Sequence, residues 1–546
     1  MKTEKVEADV LCIGGGIAGL MAAISAVESG AKVVVAEKAN TVHSGAGGVG
    51  NDHFSCYIPE VHGPDVMPVM RDWALGQWGG RIRQPEKVIA WFKKTPDIVK
   101  LWNRWGIPMK YEGRYEFSGH FFPGQKTRSH LKYSGQMQKP VLTKEATKRG
   151  VKIINRVMVF ELLGDDSING AIGVHTREDR LIEFSARSVI LGTGASGRLY
   201  PSETPGWMGN GSRGSSCDSG DGRAMAYRVG SELCNMEMMG RHAGPKYFVR
   251  SGQATWTGVV RDPYGKPVGP FVTKPDRMLS DMIIETRKEI FSDYASTGRG
   301  PLYMDLRGLS DADLEYMMRW MKQEGMHALL NHLKDEGIDL RKTPIEFMTY
   351  GLRPRGSIVT NVNAEASIKG LYAAGDESPS GEGISGAAAF GWIAGENAAR
   401  YAKIARTQKA SKVNDKIKAA VSLVDKIRKR EDGPDWKEAK NALNQVMNDY
   451  AGSVRSETML EAGLTHLRRL KKKAYDTMIA GNPHELARSL EVLNLFDLGE
   501  LVLIAANTRQ ETRGLHIRTD YPYANPLLDK ELIVKRINGQ PVTEWK

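Results

Sequence analysis

The stretch ADVLCIGGGIAGLMAAISAVESGAKVVVAE, residues 8–37, decides the fold of this 546-residue chain. Residues 8–13 form the short apolar run that is typical of a buried parallel strand. A glycine-rich run follows at 14–19, residues 20–30 predict a helix rich in Ala and Leu, and residues 32–36 predict a second strand. The order of strand, glycine turn, helix and strand predicts a βαβ unit within a parallel sheet.

The spacing of the glycines in this unit is that of a phosphate-binding turn. Gly14 permits the tight turn, Gly16 lets the backbone approach a pyrophosphate, and Gly19 lets the helix pack closely on the strand. The first helical turn, which contains Ala18, directs its N–H groups and positive dipole end at the phosphates. Glu37 ends the second strand, 21 residues after Gly16, where an acid can bond a ribose hydroxyl. The unit predicts adenine dinucleotide binding, and by itself it does not separate FAD from NAD.

Length and composition describe a globular protein of several packed units. The chain is too long for one hydrophobic core, so about two to four units are expected. Hydrophobic residues make up 41% and charged residues 26%, which excludes disordered and fibrous classes. None of the four cysteines stands in a C-x-x-C pair, so neither a zinc site nor a ferredoxin-type cluster is expected, and no metal site is predicted.

Targeting and charge patterns point to a soluble protein. The charged N-terminus lacks an apolar signal region, and no run approaches the roughly 20 apolar residues that cross a bilayer, so we expect a cytoplasmic protein without a direct membrane span. The formal charge is +12, which suits an anionic substrate or an acidic partner, and solvated Lys/Arg helix faces are an equally simple explanation. Because no recognition motif accompanies the charge, no nucleic acid is expected.

Several later segments extend the βαβ unit into a larger pattern. They are KANTVHSGAGG at 38–48, RSVILGTGA at 187–195, GLYAAGD at 370–376 with GEGISGAA at 381–388, and ETRGLHIRTDYP at 511–522. Together they resemble the flavoprotein subunits of the succinate dehydrogenase/fumarate reductase superfamily over nearly the whole chain. Within that superfamily, GRGPLYMD at 298–305, NPHEL at 482–486 and VMVFELL at 157–163 are most similar to the α subunit of adenylylsulfate reductase.

The resemblance implies an α/β fold. It consists of a FAD-binding Rossmann-like domain, an inserted α+β capping domain and a helical C-terminal domain. We place the discontinuous FAD-binding domain at residues 1–234 and 350–405, the capping domain at 235–349 and the helical domain at 406–546. Within the last, Asn482, Pro483 and Glu485 form a strong helix start.

The resemblance also makes FAD the cofactor and enlarges the set of expected cofactor contacts. Asp376 follows a strand end and Gly375, so its carboxylate can reach a ribityl or pyrophosphate group. Further cofactor contacts are expected at Lys38, Ser44, Gly45, Gly47, Gly48, Gly194, Asp221 and Ser385.

FAD attachment is expected to be non-covalent. In succinate dehydrogenases a histidine just before the Thr-Val step carries FAD covalently, and Asn40 holds that place here. His43, three residues on, is the alternative attachment point, although an ordinary loop histidine is the favoured explanation.

Arginines in two segments are the substrate candidates. In GLRPRG, residues 351–356, Arg353 takes the place of the substrate histidine of adenylylsulfate reductases, and Arg355 follows. Because arginine clamps oxyanions whereas histidine shuttles protons, we predict a small anionic substrate that differs from adenylylsulfate. Arg241, His242 and Arg250, at the start of the cap, complete the candidate catalytic set, and each of the five could instead be a structural cation.

Three functions remain open at this point. The first is an enzyme similar to adenylylsulfate reductase that acts on an adenylyl or sulfur oxyanion. The second is a reductase or dehydrogenase of a carboxylate-bearing C=C or C–C substrate, although the position of the proton-delivering arginine of fumarate reductases is held by Glu285. The third is an electron-transfer flavin subunit of a larger complex. All three exchange electrons with an iron–sulfur protein, and the resemblance implies a ferredoxin-like β subunit.

Overall fold

The computed structural model describes most of the chain. The described residues are 1–48, 50–75, 84–120, 124–201, 217–241, 243–246, 256–268, 272–279, 289–349, 351–378, 383–405 and 410–546.

Helices and strands alternate in the first half of the described chain, and helices dominate the second. The helices are α1 (Ile17–Glu28), α2 (Pro59–His62), α3 (Met67–Leu75), α4 (Pro85–Trp105), α5 (Gln138–Lys148), α6 (Asp221–Arg228), α7 (Glu289–Ser296), α8 (Asp311–Gln323), α9 (His327–Asp335), α10 (Gly383–Ile404), α11 (Ala410–Lys429), α12 (Trp436–Tyr450), α13 (Glu457–Thr477) and α14 (Pro483–Thr508). Short 3-10 helices lie at Gly197–Leu199, Arg277–Leu279, Gly375–Glu377 and Pro526–Leu528.

The strands are β1 (Lys2–Ile13), β2 (Val33–Glu37), β3 (His53–Ser55), β4 (Glu116–Phe117), β5 (His130–Lys132), β6 (Lys152–Asn155), β7 (Val157–Gly164), β8 (Ile168–His175), β9 (Arg180–Leu191), β10 (Leu233–Cys234), β11 (Met239–Gly240), β12 (Ala243–Pro245), β13 (Val259–Arg261), β14 (Leu302–Asp305), β15 (Ile345–Thr349), β16 (Arg353–Pro354), β17 (Ser357–Ile358), β18 (Leu371–Ala373), β19 (Val454–Arg455), β20 (Ile517–Arg518), β21 (Leu532–Ile537) and β22 (Gln540–Trp545).

A mixed sheet organises the FAD-binding half of the molecule, as predicted. Its order is β6-β2-β1-β9-β8-β7, and β18 pairs with β9. The pairs of β1 with β2 and β9, of β2 with β6 and of β9 with β18 are parallel, whereas β7 and β8 extend the sheet as an antiparallel hairpin. Ile13 lies opposite Ala36 on one side and Leu191 on the other, so three strand ends meet at one edge of the sheet.

Helix α10 returns from late in the chain and packs on α1 with almost no gap. A Cβ at Gly391 would lie 2.4 Å from the carbonyl oxygen of Ala18, and one at Gly395 would lie 2.1 Å from that of Ala22. The Ser25 hydroxyl donates to the carbonyl of Trp392 at 2.7 Å. The small residues of α10 are therefore required by this helix–helix contact.

The inserted cap is a small α+β unit. Strands β12, β15, β14 and β13 form an antiparallel sheet, and α8 and α9 cover it. Trp256 and Phe347 meet edge to face in its core, with ring centroids 4.9 Å apart. The Ser310 hydroxyl caps α8 by accepting from the Asp313 N–H at 3.1 Å.

The C-terminal part contains the expected helices and also a hairpin. Asn482 caps α14 by accepting from the Glu485 N–H at 3.0 Å, as its sequence predicts. Strands β21 and β22 form a hairpin that joins β10 and β17 in a second sheet, so the chain end closes on the FAD-binding half. In the described part of the chain, no helix combines the length and apolarity that a bilayer crossing requires.

Candidate functional site

The glycine turn before α1 is shaped by close backbone contacts. Gly14 has a φ of +94°, and a Cβ there would lie 2.5 Å from the Gly192 carbonyl oxygen. A Cβ at Gly19 would lie 1.8 Å from the Gly14 carbonyl oxygen, so only glycine lets α1 sit this close to β1. At Gly16, by contrast, the nearest atom to an added Cβ is 3.8 Å away. The turn thus leaves open space at the position where a pyrophosphate would approach.

The start of α1 and the loop that follows β2 offer polar groups to a ligand. No side chain caps α1, and its first turn contains no acid, so its N–H groups are available to phosphate oxygens. The hydroxyls of Thr41 and Ser44 are buried and have no hydrogen-bond partner among the described residues. These groups fit the pyrophosphate and ribityl hydroxyls of FAD. We call residues 14–19, Glu37 and the loop 41–48 the cradle.

Glu37 lies at the rim of the cradle in a fixed position. Its buried carboxylate accepts from the Gly15 N–H at 2.6 Å and from the Ala39 N–H at 2.7 Å. A carboxylate held at the end of the second strand is placed to bond the adenosine ribose.

The loop at residues 41–48 packs against the glycine turn at residues 14–19. A Cβ at Gly45 would lie 3.5 Å from the Gly16 Cα, and the Gly47 carbonyl accepts from the Gln138 amide at 2.8 Å. Gly48 folds so tightly onto the loop that a Cβ would lie 2.0 Å from the His43 carbonyl oxygen. Within the cradle, the loop therefore lies directly against Gly16.

Ser385, another expected cofactor contact, begins the covering helix α10. Its side chain is buried, and its hydroxyl accepts from the Trp91 ring N–H at 3.2 Å. This bond orients the hydroxyl and leaves it able to donate.

Lys38 and Asp221, both expected to contact the cofactor, are brought together. The Lys38 Nζ lies 2.7 Å from the Asp221 Oδ2 and 2.7 Å from the Glu491 Oε1 of α14. Although burial opposes the charge, these two carboxylates raise the pKa of Lys38. Asn494, also on α14, donates to the Asp221 Oδ1 at 2.7 Å. The group joins the sheet edge to the helical C-terminal part.

Strands β9 and β18 carry further candidates to the same sheet edge. Gly194 follows β9 with a φ of +83°, and Gly375 follows β18, where its Cβ would lie 3.1 Å from that of Ala18. Asp376 is therefore delivered beside the start of α1. Arg223 donates to its backbone carbonyl, which fixes the turn.

Three of the predicted substrate arginines meet on a short two-stranded ribbon beside Asp376. Strands β11 and β16 pair with Gly240 opposite Arg353, and Arg241 follows directly. The Arg355 side chain passes over Gly240, where a Cβ would lie 2.2 Å from its Nε. The Arg353 Nη2 lies 4.0 Å from the Asp376 Oδ2. We call β11, β16 and these arginines the arginine ribbon.

The other two predicted substrate residues, His242 and Arg250, lie outside the described residues, and so does Glu285.

Two buried ionisable residues at the site were not found from the sequence. Glu377 accepts from the Thr193 hydroxyl and lies 4.0 Å from the Arg223 Nε, and burial raises its pKa to about 7. Lys139, at the start of α5, donates from its Nζ to the Gly15 carbonyl. The sequence signal for Glu377 was its place next to Asp376, whereas Lys139 stands in no motif.

Comparison with known proteins supports FAD as the cofactor of the cradle. The FAD binding domain family model matches residues 9–391, and the model described as fumarate reductase flavoprotein C-term matches residues 440–536. One subunit of the fumarate reductase (CoM/CoB) of Methanothermobacter marburgensis is 26% identical over 564 residues, covering 98% of each chain. The fumarate reductase flavoprotein subunit of Escherichia coli is 23% identical and covers 95% of this chain and 89% of its own.

Solved structures show the same fold. Adenylylsulfate reductase from Archaeoglobus fulgidus superposes with a TM-score of 0.85 at 21% identity and covers 100% of this chain and 96% of its own. A variant of E. coli quinol fumarate reductase superposes with a TM-score of 0.83 at 20% identity and covers 100% and 97%. Since the family models match the βαβ unit, the cap and most of the helical part, the chain belongs to the FAD-binding flavoprotein family of the fumarate reductase type and is an FAD-dependent oxidoreductase.

Proposed function

We propose that this oxidoreductase acts on a small anionic substrate held by the arginine ribbon, and that it exchanges electrons with a separate iron–sulfur protein. The observation that carries the proposal is the position of Arg353. Its guanidinium faces Asp376 at the sheet edge where the cradle begins.

Arg353 is only partly satisfied by the chain itself. Its Nε is buried and has no hydrogen-bond partner within the described ranges, and its side chain is 14% exposed. A guanidinium carries five N–H donors, and a buried donor left unpaired costs about 1–3 kcal/mol. An oxyanion that accepts from Arg353 would remove this cost and would be held in a fixed orientation by two parallel hydrogen bonds.

The remaining residues of the site position rather than react. When bound, FAD supplies the hydride or electron chemistry of its isoalloxazine ring. Asp376 holds the Arg353 guanidinium from one side, and Gly240 gives the Arg355 side chain room to lie across the ribbon. The cap strand β12 follows the ribbon directly, so the cap lies next to the site, where it would help to exclude water.

Two substrate classes suit this geometry, and both present oxyanions. One is a sulfur oxyanion, as the name adenylylsulfate reductase implies for that structural neighbour. The other is a carboxylate next to a C=C bond, as the name fumarate reductase implies for the sequence relatives. The alignment with the fumarate reductase (CoM/CoB) subunit covers 98% of this chain, and this favours the carboxylate class. Those relatives are named as subunits, which supports an electron-carrying partner.

Anaerobic reoxidation of the reduced flavin tests the proposal. The purified protein is photoreduced and mixed in turn with fumarate, other enoates, adenylylsulfate and an oxidised ferredoxin, and the oxidised protein is mixed separately with sulfite. We expect one class of oxyanion and the ferredoxin to change the flavin absorbance on the millisecond-to-second scale. Exchange with ferredoxin alone would replace the proposal with an electron-relay function, and no exchange with any of them would refute it.

A further inference from the structure

Lys139 lies directly behind the cradle and is fully buried. It is the second residue of α5, and its Nζ donates to the carbonyl of Gly15, the residue between the first two glycines of the spacing 14, 16 and 19. Within the described ranges it forms no ion pair. The side-chain amide of its neighbour Gln138 donates to the Gly47 carbonyl, so the start of α5 contacts both the glycine turn and the loop 41–48.

This environment differs from that of the ion-paired buried lysines of the chain. Lys38 is paired with two carboxylates, and the Nζ of Lys132 lies 2.6 Å from the Asp52 carboxylate. The charged group that acts on Lys139 is Glu37, whose oxygens already accept from two backbone N–H groups. A buried ammonium without a close anion is costly, and burial lowers the pKa of Lys139 to about 8.

Helix dipoles add to the positive potential at Lys139. Helices α1 and α5 both begin beside the glycine turn, and neither has an acid in its first turn nor a side-chain cap. Their positive ends disfavour a cation such as Lys139 and favour an anion. Two helix starts and one ammonium thus lie beside the glycine turn, where the pyrophosphate of a bound dinucleotide would be held.

We propose that Lys139 is the cation that neutralises and positions the FAD pyrophosphate, a cofactor-binding role that no motif of the chain assigns to it. The lysine acts from behind the turn, through the Gly15 peptide, whereas the helix N–H groups contact the phosphates from the front. It is a positioning residue and takes no part in electron transfer.

The proposal makes FAD affinity depend on pH in a defined direction. Bound phosphates raise the pKa of Lys139, so the complex takes up a proton when it forms above about pH 8. Affinity is constant below that pH and falls by up to about tenfold per pH unit above it. The charged group that acts on Lys139 is Glu37 of β2, and the first turns of α1 and α5 contain no acid. Lys38, which follows Glu37, is paired with Asp221 and Glu491, and His43 of the loop is exposed.

Cofactor release from the holoenzyme tests the role of Lys139. The enzyme is diluted at pH 7.0, 8.0, 9.0 and 9.5, and recovery of flavin fluorescence gives the Kd of FAD. We expect Lys139→Met to raise the Kd at pH 7 by about 10- to 100-fold and to abolish its pH dependence. Lys139→Arg should bind more tightly than Lys139→Met and should lose the decline above pH 8, because arginine keeps its charge.

The matched control is Lys440→Met. Lys440 is also buried, burial lowers its pKa to about 8, and its Nζ donates to Asn444 in α12, which is not part of the cradle. We expect this variant to lose stability without changing the Kd of FAD.

A second measurement needs no variant. Calorimetric titration of the FAD-depleted wild-type protein in two buffers of different ionisation enthalpy gives the protons taken up at pH 8.5. Uptake of a fraction of a proton supports the proposal. If uptake is zero, or if Lys139→Met binds FAD within about threefold of wild type with the same pH profile, the proposal is wrong.

Discussion

The cradle and the arginine ribbon, for which we propose cofactor and substrate binding respectively, are built in opposite ways. The cradle is made mostly of backbone from one continuous stretch, residues 14–48, and its geometry follows from glycine spacing. The ribbon is made of side chains from two strands that are more than 100 residues apart and enclose the cap between them. The difference teaches that the dinucleotide-binding turn of this chain is encoded locally, whereas the arginine ribbon forms only when segments on either side of the cap come together.

The largest expected effect is at two glycines of the cradle, one of which is needed for folding and the other for FAD binding. Gly19→Ala places a Cβ against the Gly14 carbonyl and should destabilise the fold by about 3 kcal/mol or more, with loss of FAD. Gly16→Ala has room in the protein without its cofactor, so its fold should survive while the Kd of FAD rises at least about 100-fold. Thermal unfolding and flavin titration distinguish the two. Equal loss of stability in both variants would contradict the open space assigned to Gly16.

The next effect concerns the joint at Lys38, which lies between the cradle and the C-terminal helices. Glu491→Gln removes the buried carboxylate that Arg198 shares with Lys38, leaves Lys38 with Asp221 alone, and should cost about 3–5 kcal/mol of unfolding free energy. Despite burial, Lys38 and Arg198 lower the pKa of Glu491, so the wild type has this stability in full well above the unfolded-state pKa of about 4.3 and loses it progressively as the pH falls toward the folded-state pKa.

Urea unfolding at pH 7 and pH 4 measures the first part of this loss. The variant should show a smaller loss between the two values than wild type, and Glu431→Gln, at an exposed position, should behave like wild type. A Glu491→Gln variant that keeps its stability but releases FAD would mean that Lys38 serves mainly to bind the cofactor and contributes little to the contact between the cradle and the C-terminal helices.

A smaller effect is expected at the ribbon. Arg353→Ala should lower kcat/KM for the native anion by about 100-fold, equivalent to about 2.7 kcal/mol, while the flavin spectrum and the Kd of FAD stay unchanged. Arg353→His, which restores the residue type of adenylylsulfate reductases, should lose native turnover as well. The control is Arg307→Ala, whose guanidinium pairs with Asp305 on the cap. Unchanged kinetics in Arg353→Ala would remove this arginine from the site.

The smallest effect is at the helix start that was recognised from sequence alone. Asn482→Ala removes the side-chain acceptor for the Glu485 N–H and should cost about 1 kcal/mol of stability, with no change in FAD affinity or turnover. Thermal unfolding measures it. A loss of FAD here would mean that the ends of α14 are coupled to the cradle through Glu491.

The same contrast explains what the sequence could predict. The glycine turn, Glu37 at its strand end and the Asn482 cap each depend on residues close together in the chain, so spacing and residue type suffice. Lys38 and Glu491 form an ion pair although they are far apart in the sequence. The contact of Lys139 with Gly15 depends on how α5 packs against the glycine turn. Such contacts have no local pattern, so the sequence predicts neither the ion pair between Lys38 and Glu491 nor the position of Lys139, whereas Lys38 is expected in the cofactor set because it directly follows Glu37.

The tight seam between α1 and α10 also bears on how the protein is made. Helix α1 leaves the ribosome hundreds of residues before α10, and its covered face is apolar. Until synthesis has passed residue 404, α10 cannot cover that face of α1. The growing chain then exposes an apolar, aggregation-prone surface of the kind that chaperones bind. Maturation of the N-terminal domain is therefore timed by the late segment, and truncated chains that end before it should aggregate rather than fold.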